Sequence, residues 1–169
     1  SPDLKLFDVT GGDGLAATQN QNPTRFVSHE MLTTSALGQN SDGGFSAVRI
    51  GNQTIPAGLL QMGNLDTIDS QVKVSWTLNA GDVPLLTPTS FFFSVYNSDA
   101  VQKSVSFSVD GGATTFVSYN IGLASNVPLL FAVGGAEQAI LNAGGTLTMI
   151  VDGDAGWDLS LDSFGFQIP

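Results

Sequence analysis

The sequence predicts an all-β fold, an antiparallel β-sandwich of jelly-roll type with at most one or two short helical turns. Three observations carry that expectation. Apolar residues recur with a period of two rather than 3.6. Turn residues, led by twenty glycines, divide nearly all of the apolar runs from one another. Thirteen of the fifteen acidic residues are Asp, which suits turns, and two are Glu, which suits helices.

The elements follow in chain order. "DLKLFDV" (3–9) reads as a first strand with a slip of phase from Leu4 and Leu6 to Phe7 and Val9. "GGDGLAATQNQNP" (11–23) is the longest loop-like run. "FSAVRI" (45–50) is a strand, and "IPAGLLQM" (55–62) could hold a short helical turn. In "QVKVSWTL" (71–78) Val72, Val74, Trp76 and Leu78 share one face, while Gln71, Lys73, Ser75 and Thr77 share the other. "SFFFSVY" (90–96) is apolar on both faces over part of its length, as a more buried strand would be. "VQKSVSFSV" (101–109) alternates again, and "DGG" (110–112) joins it to "TTFVSY" (114–119) as a tight hairpin. "PLLFAV" (128–133) and "TLTMIV" (146–151) flank the helix candidate "AEQAILNA" (136–143).

"WDLSLDSFGFQI" (157–168) is the last strand. Its apolar set changes phase between Leu161 and Phe164, and a β-bulge near Asp162–Ser163 would restore one inward face. The first and last strands, each with a slip, are expected to pair. With no second-domain linker visible, residues 1–169 read as a single sandwich domain.

Charge and composition exclude several classes of partner. The formal net charge is −10, with five basic residues and none after Lys103. Nucleic acid would meet a field of its own sign. No apolar run is long enough to insert in a membrane. The absence of cysteine removes disulfides, thiol catalysis and Cys-based zinc sites. His29 is the only histidine; the position four residues on is Thr33, so a zinc-protease pattern fails. No carboxylate pair is singled out for sugar hydrolysis, and the chain reads as non-enzymatic.

Two candidate sites remain. "VDGDAGWDLSLD" (151–162) gathers Asp152, Asp154, Asp158 and Asp162, and clustered aspartates with backbone carbonyls are the ligands calcium takes. Position five of an EF-hand loop is occupied by Gly156 and no Glu follows at the required distance, so any Ca2+ site would lie at the sandwich edge, completed by Asp3 or Asp8. Turn chemistry is the competing reading of the same residues. Tyr96 and Tyr119, which close their strands beside turns, could form a sugar-binding groove with Asn97 and Asp99, or simply cap the edge of the core.

The closing "GWDLSLDSFGFQIP" resembles the last strand of secreted bacterial sandwich domains, among them PEP-CTERM-type surface proteins and lectin-like carbohydrate-binding modules. The resemblance covers about a dozen residues. It implies an extracellular or cell-surface location, and Asp158 and Asp162 as structural calcium ligands. The functional expectation is a secreted, self-associating protein of an adhesive or matrix kind, calcium-stabilised. The alternative is a carbohydrate-binding module of a larger secreted protein, with extracellular polysaccharide as its partner.

Overall fold

The computed structural model describes residues 4–6, 17–22, 25–32, 46–51, 54, 56–82 and 89–167. The strands are β1 (Leu4–Leu6), β2 (Ala17–Asn22), β3 (Arg25–Met31), β4 (Ser46–Ile50), β5 (Leu60–Asn64), β6 (Ser70–Leu78), β7 (Thr89–Ser98), β8 (Lys103–Val109), β9 (Thr114–Ile121), β10 (Ala124–Val133), β11 (Gly145–Gly153) and β12 (Leu159–Gln167). One helix, α1 (Gly135–Ala143), links β10 to β11. The strands form two six-stranded sheets, sheet A in the order β1-β4-β5-β12-β7-β10 and sheet B in the order β2-β3-β6-β11-β8-β9. All pairings are antiparallel, as the alternating sequence requires.

The dry faces meet in one core. Phe91, Phe93 and Val95 of β7 with Leu159 and Leu161 of β12 pack towards Val72 and Val74 of β6, Val105 and Phe107 of β8, and Met149 and Val151 of β11. Aromatic rings stitch the sheets together: Phe91 and Phe107 lie 4.5 Å apart between centroids, Trp76 and Phe164 4.8 Å. Such pairs add roughly 0.5–1.5 kcal/mol each beyond the area they bury. Trp157, just before β12, is fully buried, and its indole N–H donates to the Ser70 carbonyl at 2.9 Å.

Local expectations are met closely. The 110–112 hairpin turn holds Asp110, Gly111 and Gly112 at φ of 57°, 68° and 101°, a left-handed run that two glycines make cheap. In β12 the register steps from Leu161 opposite Val95 to Ser163 opposite Ser94, so Asp162 is the extra residue of the expected bulge. Phe164 and Phe166 therefore pack on the core beside Leu159 and Leu161. The helix candidate at 136–143 is α1, which buries Gln138 and Leu141.

Pairing partners depart from expectation. The terminal strands do not pair: β1 lies at the edge of sheet A against β4, while β12 lies inside that sheet between β5 and β7. The reason is that both edges of β12 are occupied. Leu159–Leu161 of β12 pair with β5 on one side and Leu159–Gln167 with β7 on the other, so β12 has no open edge left for β1. A C-terminal strand held inside the sheet is also unavailable as a donor to a neighbouring molecule.

Part of the expected 11–23 loop is β2, an edge strand of "ATQNQN" whose backbone pairs with β3. Its polar residues carry no hydrophobic period, so nothing local announces it, and β3 is also a strand that periodicity misses. The 55–62 segment holds only a turn before β5 begins at Leu60. There Thr54 Oγ1 lies 2.7 Å from both the Gly51 and Pro56 carbonyl oxygens and accepts the Leu59 N–H at 3.3 Å. The slip expected in the first strand beyond Leu6 falls outside the described residues.

Candidate functional site

The two outer faces differ in chemistry. Sheet B presents rows of small polar side chains, including Ser75 against Thr148 with their hydroxyls 3.2 Å apart, and Gln71 donating to Asp152 at 3.0 Å. These groups satisfy one another. Sheet A is different, because its outer face combines polar side chains with aromatic rings.

Strand alternation builds that face. Val48 and Ile50 point into the core, so Arg49 points out; the same holds for Gln61 between Leu60 and Met62, and for Ser160 between Leu159 and Leu161. The registers then align a row across the sheet: Lys5 opposite Arg49, Arg49 opposite Gln61, Gln61 opposite Ser160, Ser160 opposite Asn97, and Asn97 opposite Ser125. Six strands at about 4.8 Å spacing make this row about 24 Å long.

Beside the row sits Tyr96. The register steps from Ser160 opposite Asn97 to Leu161 opposite Val95, which leaves Tyr96 as the extra residue on β7. Bulging sets Tyr96 and Asn97 both outside, between the buried Val95 and Ser98. Tyr96 is 37% exposed, and its side chain makes no hydrogen bond or ring contact with any described residue. Further along β7, Phe92 is half-buried on the same face, its ring edge 3.4 Å from where a Cβ on Gly165 would stand. Leu130, 62% exposed, is its register partner on β10. The second apolar face of "SFFFSVY" is thus this ring on an open surface rather than a strand buried on both sides.

The four residues Tyr96, Asn97, Asp99 and Tyr119 are not brought into one groove. Tyr119 lies on β9 of sheet B, its ring packed edge-on to Phe93 (6.3 Å) and Phe131 (5.9 Å), where it caps the core edge. Asp99 is engaged by the buried Lys103, whose ammonium also donates to Ser98 Oγ at 2.7 Å. Tyr96 and Asn97 alone stay on the sheet A face. Sequence reasoning missed Arg49, Gln61 and Phe92. Outward positions on alternating strands were the available signal, but nothing local selects them from other outward residues.

The four aspartates are likewise spread. Asp152 lies near the end of β11 and accepts from Gln71, while Asp154 is exposed on the following turn. With Gln102, Ser104 and Asn120 they border a shallow polar cleft of about 500 Å³. Burial raises the pKa of nearby Asp69, helped by the charges of Asp152 and Asp154 and opposed by the Ser70 N–H. Asp158 is on the other sheet's side, accepting the Asn64 N–H at 2.9 Å, with its Oδ1 3.1 Å from where a Gly63 Cβ would sit. That close seat strips water from its carboxyl and raises its pKa; the Asn64 N–H opposes the shift, Asp99 adds to it, Lys103 opposes it and Asp66 adds to it. Asp162 projects from the β12 bulge, exposed. Among the described residues no three His, Asp or Glu side chains gather as a metal-holding group. Asp3 and Asp8 lie outside the described residues.

No protein-family model matches the chain, and no curated protein matches it. Solved structures do. The carbohydrate-binding module TmCBM61 in complex with β-1,4-galactotriose aligns at 14% identity over 100% of this chain and 90% of that one, with a TM-score of 0.41. The family 11 carbohydrate-binding module of the cellulosomal cellulase Lic26A-Cel5E of Clostridium thermocellum aligns at 9% identity over 96% and 94%, TM-score 0.41. The module CBM36 in complex with calcium and xylotriose aligns at 17% over 58% and 79%, TM-score 0.36. At such scores the likeness names no ligand for this chain, and PEP-CTERM-type surface proteins have no counterpart among these three.

Proposed function

We propose that the chain is a non-catalytic, extracellular polysaccharide-binding β-sandwich, and that the outer face of sheet A holds the glycan. One observation carries the reading: a polar row crossing all six strands, flanked by a tyrosine ring with no described partner. Sugar rings present hydroxyls at their edges and apolar C–H groups on their faces. A flat site for them therefore needs hydrogen-bonding side chains in a line beside an open aromatic surface. Lys5, Arg49, Gln61, Ser160, Asn97 and Ser125 hold the register positions of the line, and Tyr96 and Phe92 supply the rings. A row of about 24 Å accommodates several sugar units laid across the strands.

Affinity electrophoresis and calorimetry against a panel of soluble polysaccharides test this. Tyr96→Ala should weaken binding at least tenfold, about 1.4 kcal/mol, with the melting temperature unchanged. Tyr119→Ala should do the reverse, lowering stability while sparing affinity, because its ring packs on Phe93 and Phe131. Wild-type silence across the panel, or a Tyr96→Ala variant binding as wild type does, would remove the proposal.

A further inference from the structure

We propose that the polymer held on sheet A is acidic, a polysaccharide carrying uronate carboxylates, and that Arg49 receives one of them; this rests on the glycan-binding reading above. A chain of net charge −10 has five basic residues to place. Lys103 is consumed inside the fold by Asp99. Lys73 stands on the sheet B face, and Arg25 is opposite Trp76 in β3. The remaining two, Lys5 and Arg49, are direct register partners at one end of the sheet A row.

Arg49 is unusual in what it lacks. It is half-buried, and its Nε is shielded from solvent without an acceptor. Its side chain makes no hydrogen bond or ion pair with any described residue. A shielded Nε without an acceptor costs free energy that folding alone does not recover. A ligand carboxylate meeting the terminal nitrogens of the same guanidinium would offset that cost, through the two-pronged geometry that its fork matches. Neutral sugar hydroxyls would also bond, but charge-assisted bonds are roughly twice as strong.

The acidic groups of the same face set the position of the carboxylate. Asp162 projects exposed from the β12 bulge, and Asp158 sits next to Gly63 at the β5–β12 seam. Both disfavour an anion towards the middle of the sheet, which leaves the β4 end, where Arg49 and Lys5 are opposite each other. The net negative charge of the chain does not forbid this, because its field is screened over about 8 Å at physiological salt.

The test compares polygalacturonate and alginate with carboxyl-reduced polygalacturonate and a neutral mixed-linked glucan, using the full chain. Wild type should bind polygalacturonate or alginate at least tenfold more tightly than the carboxyl-reduced polymer. Arg49→Gln should erase that difference, with an unchanged melting temperature certifying its fold; Arg49→Lys should keep part of the preference. Tyr96-dependent binding of neutral polymers without a uronate preference would overturn the acidic assignment and leave the glycan-binding reading standing. An Arg49→Gln variant that keeps the full preference would also overturn it. Failure of wild type to bind any polymer would overturn both.

Discussion

Removing the carboxylate of Asp99 should cost more stability than removing the ammonium of Lys103, although the two form a single ion pair. Lys103 is 2% exposed at the start of β8, and its ammonium donates to Ser98 Oγ, to the Asp99 carbonyl at 3.2 Å and to the Asp99 carboxylate. The Asp99 side chain keeps 31% of its surface. Asp99→Ala therefore leaves a desolvated ammonium with two neutral acceptors, a loss of about 3–5 kcal/mol. Lys103→Met keeps the apolar stem in place and leaves a carboxylate that water reaches. Ser98 Oγ retains a bond to the Asp99 carbonyl at 3.3 Å. That loss should be about 1–2 kcal/mol. The double variant should resemble Lys103→Met, because no ammonium remains to be stranded. Urea unfolding followed by tryptophan fluorescence measures all three, with the slope compared to confirm a common unfolded state. A Lys103→Met loss equal to or above that of Asp99→Ala, or a double variant equal to the sum of the singles, would refute the asymmetry.

Trp157→Phe should cost about 2–4 kcal/mol, since it opens space in a fully buried site and leaves the Ser70 carbonyl without its donor; a loss under about 1 kcal/mol in the same urea assay would mean the site collapses around the smaller ring. Asp69 yields a prediction about pH. Its folded pKa is raised above 3.8, so the stability it contributes is complete below that value and is lost as pH rises through the folded pKa. Asp69→Asn, which stays neutral, should therefore gain melting temperature relative to wild type more at pH 7 than at pH 4. A difference that does not change with pH would remove burial as the cause.

Which parts of this protein were legible before folding follows from the range of each interaction. The bulge at Asp162 could be read because the apolar set of one strand changes phase within a few residues. The 110–112 hairpin could be read because turn chemistry is local. Trp157 could be placed at the core because it shares a face with Leu159 and Leu161. The "ATQNQN" strand at 17–22 could not, since it is held by backbone hydrogen bonds that its polar side chains do not advertise. Terminal-strand pairing failed for a related reason: the position of β12 between β5 and β7 depends on residues nearly a hundred positions away, as the Asn64 contacts to Trp157 and Asp158 illustrate.

The candidate site divides along the same line. Alternation alone determined that Arg49 and Ser160 would lie on wet faces, and composition alone determined that cations would be scarce. Tertiary structure decided that Arg49, Gln61, Asn97 and Ser160 share one row, that Tyr96 lies beside it with no described partner, that Tyr119 packs on the core edge, that Asp99 pairs with Lys103, and that the four aspartates are spread apart. Side-chain direction along a strand is a property of its neighbours in sequence. Which strands lie side by side is settled by pairing across the whole chain, and a binding surface built over six strands exists only once that pairing is complete.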